Sequence, residues 1–207
     1  MATNDPLEIE VKFLVDSLAD VRRRVLDAGA RLARERVFEH NLSLDTPDET
    51  LRRRECLLRL RQDNDVILTF KGLSEADAGS EAKVREELEV TVSDLETAVA
   101  IFERLGYRPQ QVYEKYRETF ALDDVEIVLD EMPYGNFVEL EGPEEAIKAA
   151  AARLHLPWEQ RLVTNYLALM ARIREYYDLP FNDLTFANFE KVDVSLSDVV
   201  EQNSDDA

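Results

Sequence analysis

The chain predicts an α+β fold in which antiparallel strands form a sheet closed on itself, a barrel, with helices packed outside it. Three observations point there. Strand-like segments recur along the 207 residues, interrupted by only a few amphipathic helices. On strand after strand, ions alternate with apolar residues at the period of two that separates a strand's faces. Those ions also balance, seven basic against seven acidic, in a chain whose net charge is −19. A solvated face has no reason to correct the global imbalance, and it usually carries Ser, Thr, Gln and Asn. One closed sheet explains the pattern economically: every ionic face turns into a lumen and every apolar face meets a helix. Burying so many ions is costly unless they pair or hold a ligand. A multivalent anion with its metal ions would supply those partners. The bland alternatives are an interior ion-pair network without ligand, or two open sheets with polar outsides.

The first strand runs from Pro6 to Val15. In Glu8-Ile9-Glu10-Val11-Lys12, residues Glu8, Glu10 and Lys12 share one face while Ile9, Val11 and Phe13 share the other. Two carboxylates about 7 Å apart on one strand face can grip a hard cation such as Mg²⁺. A helix follows, capped by Asp16 or Ser17, striped by Leu18, Val21, Val25 and Leu26, and stopped at Gly29. Arg31 to Leu44 reads as extended and Asp45-Thr46-Pro47-Asp48 as a turn. Leu57 to Arg61 and Val66 to Lys71 read as a hairpin over Asp63-Asn64, with Arg59, Arg61, Thr69 and Lys71 on the polar face. Leu73 to Ser80 is an acidic loop.

Lys83 to Val92 is a long strand with Arg85, Glu87 and Glu89 on one face, although Glu86 interrupts the apolar side. Ser93-Asp94-Leu95-Glu96 is a capping-box sequence opening a helix that ends at Gly106. Tyr107 to Leu122, Glu126 to Glu131 and Phe137 to Glu141 are extended and carry Lys115, Arg117, Asp130, Glu139 and Glu141. Pro143 to Leu154 and Val163 to Tyr176 read as helices, with Pro143 in a first turn. After Asp178 the chain thins into a tail whose last dozen residues should be mobile. An offset of 77 residues aligns Val15 with Val92, Leu18 with Leu95 and Gly29 with Gly106, which suggests two quasi-equivalent halves.

Length fits one domain with a sizeable core. The acidic balance argues against non-specific binding to nucleic acid or anionic membrane, so an anionic substrate needs a local basic pocket. Cys56 is the only cysteine, and His40 and His155 the only histidines, which excludes a disulfide and a His/Cys zinc site. No leader and no run of ~20 apolar residues is visible, so the expected compartment is the cytoplasm.

Six elements, in order, resemble the CYTH superfamily, the triphosphate tunnel metalloenzymes. They are the Glu8-x-Glu10-x-Lys12 strand, Leu58-Arg59-Leu60-Arg61, Thr69-Phe70-Lys71-Gly72, Arg85-Glu86-Glu87-Leu88-Glu89, Lys115-Tyr116-Arg117, and Gly135-Asn136-Phe137-Val138-Glu139-Leu140-Glu141. The resemblance covers about residues 6 to 170 and extends to a closing helix with Asn165-Tyr166-Leu167. It implies an eight-stranded antiparallel barrel forming a tunnel, expected over residues 1–176; the tail beyond Arg172 has no counterpart in the family, and 177–207 is expected to be a partly disordered C-terminal extension. It also implies a triphosphate-bearing small-molecule substrate and Mg²⁺ or Mn²⁺ as cofactor. By the same resemblance Glu8, Glu10, Glu139 and Glu141 hold metal, with Asp130 and Glu87 as further acidic contacts. Lys12, Arg59, Arg61, Lys71, Lys115 and Arg117 form the triphosphate cradle, and Arg85 joins them on the same charged faces.

Glu87 or Glu89 is expected to orient a hydrolytic water, with Lys12 against the phosphates. Triphosphate hydrolysis asks for nothing beyond these charges. Adenylyl cyclisation of ATP needs a purine pocket as well, and a non-catalytic polyphosphate- or nucleotide-binding module needs no carboxylate set. His40 is expected to be structural, Cys56 buried and inert, and Trp158 packed on a helix end. The stretch Tyr176 to Phe181 would cover a tunnel mouth or form a homodimer contact.

Overall fold

The computed structural model describes residues 7–74, 79–196 and 199. Pro6, the centre of the acidic loop at 75–78 and most of the expected mobile tail lie outside the described residues. Eight strands follow one another: β1 (Leu7–Val15), β2 (Arg31–Asp45), β3 (Leu57–Gln62), β4 (Val66–Leu73), β5 (Lys83–Val92), β6 (Arg108–Leu122), β7 (Val125–Met132) and β8 (Gly135–Glu141). The order β1-β5-β4-β3-β2-β6-β7-β8 returns to β1, so the sheet closes as a barrel. Every neighbouring pair is antiparallel. A closed ring leaves no unpaired edge to recruit another chain.

The helices are α1 (Leu18–Asp27), α2 (Thr50–Arg53), α3 (Leu95–Arg104), α4 (Glu144–Arg153), α5 (Tyr166–Tyr176) and α6 (Phe186–Phe189). The order β1-α1-β2 recurs as β5-α3-β6, as the 77-residue offset predicts. The two first strands pair with each other and so do the two second strands, each fifteen residues long. Gly29 and Gly106 end the equivalent helices with φ of +85° and +93°, a left-handed turn that glycine adopts without steric cost.

Local chemistry moved several boundaries. Asp94, not Ser93, caps α3, its carboxylate accepting from Thr97 N at 2.7 Å. Pro143 sits at the cap of α4 rather than within its first turn. α5 begins at Tyr166, not Val163, because Leu162 is tied to Lys12 by two backbone bonds of 2.7 and 3.0 Å and Asn165 caps the helix. α2 has no apolar period to announce it. The Asp45 carboxylate winds it by accepting from the backbone N–H groups of Thr46, Leu51 and Arg52 at 2.7–2.9 Å.

Apolar side chains gather in three clusters. α1 and α4 lie over β1, β7 and β8, where Val21, Val25 and Ile147 meet Val11, Phe13, Ile127 and Leu140. Burial of each such side chain stabilises by roughly 1.5–3 kcal/mol. α3 covers Leu44 and Leu60. α5 brings Tyr166, Leu169, Met170 and Ile173 onto Met132, Tyr134 and Phe137. The chain after Asp178, expected to thin out, instead joins this third cluster through Leu184, Phe189, Leu196 and Val199. Leu184 fixes it there by exchanging backbone hydrogen bonds with Val112 and Glu114 on β6 at 2.8 and 2.9 Å. No helix among the described residues is long and apolar enough to cross a membrane.

Candidate active site

Inside the ring the pleat gathers the ions. Glu8, Glu10 and Lys12 of β1, Arg59 and Arg61 of β3, Lys71 of β4, and Arg85, Glu87 and Glu89 of β5 line a single cavity of about 850 Å³. Lys115 and Arg117 of β6 and Glu139 and Glu141 of β8 also line it. Asp130 is the exception among the expected site residues. It is fully buried and does not line the cavity.

The cations are held by directional bonds. Asp130 accepts from Lys115 Nζ at 2.9 Å, from Arg117 at 2.8 and 2.6 Å, and from the Tyr166 hydroxyl at 3.0 Å. Those four bonds occupy its carboxylate. Asp130 is therefore placed to orient two cavity cations, and its placement does not meet the expectation of a metal ligand. Arg117 also donates to Glu139 at 2.5 Å. Lys12 Nζ lies 2.9 Å from Glu10 and 3.1 Å from Glu139. Burial alone would depress the Lys12 ammonium, but Glu10 and Glu139 outweigh it and raise it above the usual lysine range. Lys12 and Lys115 both stand over the Tyr166 ring, 5.4 and 5.2 Å from its centroid.

Along the other wall, Lys71 donates to Glu8 at 2.5 Å and lies 3.2 Å from Glu87. Burial, with Glu8 and Glu89 nearby, pushes the Glu87 carboxyl up to about 7 despite Lys71. Glu89 is anchored differently, accepting from the Thr69 hydroxyl at 2.7 Å and lying 3.4 Å from Arg59. Arg61 and Arg85 are loosely paired, their nearest acidic partners at 3.6 Å (Asp63) and 3.8 Å (Glu55).

Glu141 is the cross-strand partner of both Glu10 on β1 and Glu126 on β7. Among the described residues it makes no ion pair within 4 Å. Burial and the neighbouring Glu8 and Glu126 push its carboxyl up to about 8. Crowded carboxylate oxygens are donors of the hard kind that divalent ions such as Mg²⁺ prefer. Among the described residues no three acidic, histidine or cysteine side chains converge on one point.

Several lining or supporting residues escaped the sequence reading. Lys83 donates to Glu10 at 2.6 Å and simply extends the Arg85-Glu87-Glu89 alternation back by two positions. Glu39 and Asn41, fully buried on the inner face of β2, flank His40, which lies half-exposed 3.6 Å from Glu114. Tyr113 precedes Lys115 by two and was likewise readable, whereas nothing in the sequence marks Tyr166 as the floor beneath two lysines. Cys56, expected to be buried, is half-buried at the cavity rim, where its thiol lies 3.4 Å from the Arg54 carbonyl. Trp158 packs against the α1–α4 cluster with Lys148 and Arg161 on its ring.

The description "CYTH domain" matches residues 6–163, three quarters of the chain. The chain belongs to the CYTH family. A protein of Methanocaldococcus jannaschii named "Putative adenylate cyclase" is 28% identical over 137 residues, covering 65% of this CYTH chain and 76% of its own. A solved structure from Vibrio parahaemolyticus described as "a putative adenylate cyclase" superposes with a TM-score of 0.71 at 22% identity, covering 80% of this chain and 98% of that one. A structure from Hippeastrum, described as a "Putative adenylyl cyclase" that "reveals a dominant" triphosphatase activity, gives 0.56 at 18% identity, covering 78% and 94%. At these identities the two structures show a common fold. The CYTH match ends at Val163, so α5 and the chain packed beyond it lie outside the matched region.

Proposed function

We propose that the ring is a tunnel in which a triphosphate is hydrolysed with the help of a divalent cation, Mg²⁺ or Mn²⁺. One observation carries this reading: buried Lys12, Arg59 and Lys115, with Lys71 and Arg117, share one cavity with carboxylates interleaved among them. A polyanion and a hard cation are the ligands that such a mixed surface satisfies. Membership of the CYTH family and the triphosphatase activity ascribed to the Hippeastrum protein support it.

In this reading Lys12, Lys115, Arg117 and Arg59 hold phosphate oxygens. Arg61, Lys71 and Arg85 close on the remaining charge. Asp130 and Tyr166 keep Lys115 and Arg117 aimed inward, and Glu89 with Thr69 does the same for Arg59. Glu8, Glu10, Glu139 and Glu141 would hold the cation, which when bound neutralises charge on the phosphate oxygens. Glu87 orients the attacking water and takes its proton. As the water oxygen bonds to the terminal phosphorus, the bond to the leaving diphosphate breaks and the cradle stabilises the departing oxygens.

A second reading, cyclisation of ATP to cyclic AMP and pyrophosphate, has two observations in its favour. The M. jannaschii relative is named as such an enzyme. A cavity of about 850 Å³ also lies within the roughly 300–1,000 Å³ that accommodates an organic ligand.

The deciding experiment incubates the protein with Mg²⁺ or Mn²⁺ and, separately, inorganic tripolyphosphate, thiamine triphosphate and ATP. Release of phosphate supports hydrolysis, cyclic AMP with pyrophosphate supports the cyclase, and neither product leaves a binding module. Glu87→Gln should cut turnover far more than substrate affinity. Equal loss of both would remove Glu87 from the water-orienting role.

A further inference from the structure

Two fully buried carboxylates beside the cavity do not line it, and they are held in opposite ways. Asp130 is saturated by short bonds from Lys115, Arg117 and Tyr166. Glu39 is equally buried, yet neither of its oxygens has a hydrogen-bond partner among the described residues. Its nearest cations are Lys115 Nζ at 3.7 Å and Arg61 at 3.9 Å, too far for directed bonds. The layer around it shares this character. Asn41, two residues on, has neither amide atom bonded, and the Nε atoms of Arg59 and Arg61 are also unmatched. Its closest cations therefore act on this buried carboxylate through charge rather than through hydrogen bonds.

We propose that Glu39 is a positioning residue whose carboxylate, enclosed without directed bonds beside the cradle, offsets repulsion among Lys115, Arg61 and Arg59 and so limits the cradle's grip on polyphosphate. Asp130 sets direction; Glu39 sets strength. An enzyme must release its anionic products, and an uncompensated cluster of buried cations would hold them. The proposal rests on the triphosphate reading above and deepens it by assigning the residue that tunes affinity.

The test compares wild type, Glu39→Gln and Glu39→Asp by calorimetric titration with inorganic tripolyphosphate. Removing one negative charge a few ångströms from the cradle should tighten binding about tenfold, and Glu39→Asp should return it to near the wild-type value. A purely packing role predicts unchanged or weaker binding in Glu39→Gln, and that result overturns the proposal. The second measurement needs no activity: the unfolding midpoint of each protein against sodium sulfate. The Gln variant should start lower and rise more steeply than wild type, because sulfate replaces the missing charge; parallel curves overturn the proposal. If wild type binds no tripolyphosphate, the triphosphate reading fails, and the sulfate comparison still decides the role of Glu39. A Gln variant that folds only with sulfate supports the proposal, and one that folds in neither condition overturns it.

Discussion

At the scale of single residues, the decisive feature is that Lys115 and Arg117 are held by Asp130, a buried carboxylate that does not line the cavity. Tyr166 illustrates the cost of losing such support. Its hydroxyl donates to Asp130 at 3.0 Å in a buried site, and hydrogen bonds to charged groups contribute roughly 1.5–3 kcal/mol. Tyr166→Phe should lose about that much stability by denaturant unfolding while retaining the ring under Lys12 and Lys115. A change under 0.5 kcal/mol would show that Asp130 does not depend on the phenol.

Glu39 gives a pH-dependent counterpart. Burial alone would raise its carboxyl, but Lys115, Arg117, Arg61 and Arg59 lower it to about 2, against about 4.3 in an unfolded chain. A depressed folded value contributes stability that is present in full above pH ~4.3 and is lost as pH falls through ~2. The stability gap between wild type and Glu39→Gln should therefore be about 3 kcal/mol near neutrality and close between pH ~4.3 and ~2. A gap independent of pH would contradict an ionised Glu39.

At the scale of elements, period-two alternation was the legible signal, and it placed the inner faces of β1, β3, β4, β5, β6 and β8 correctly from residues such as Arg59 and Glu139. It was less informative on β2. There Glu39, His40 and Asn41 are all polar, so no apolar partner marks which of them faces inward. The same gap hid Tyr166, because a helix that plugs one end of a ring shows no periodicity related to the lumen. The segment after Asp178 was hidden for a third reason. Its apolar residues are spaced to meet a surface built by β6 and α5, not to form a regular element of their own. Leu184 is fully buried in that surface, so Leu184→Ala should cost 2–5 kcal/mol. Leu105→Ala, at a residue 67% exposed at the C-cap of α3, should stay within about 0.5 kcal/mol. Equal effects would show that the C-terminal segment is not part of the fold's stability.

At the scale of the whole molecule, two charge distributions coexist. The chain carries −19 overall, while the ring's interior gathers enough Lys and Arg to match its carboxylates. That contrast confines attraction for an anion to the cavity, because the outer surface repels it. The central claim is that this interior is a triphosphate-processing site. It is tested most directly by following inorganic tripolyphosphate with Mg²⁺ by ³¹P NMR, in the presence of wild type or Arg59→Met. With wild type, the tripolyphosphate signals should give way to pyrophosphate and orthophosphate in equal amounts, and with Arg59→Met the rate should fall at least tenfold. Tripolyphosphate that persists unchanged with wild type, or is consumed equally fast by the variant, would contradict the account.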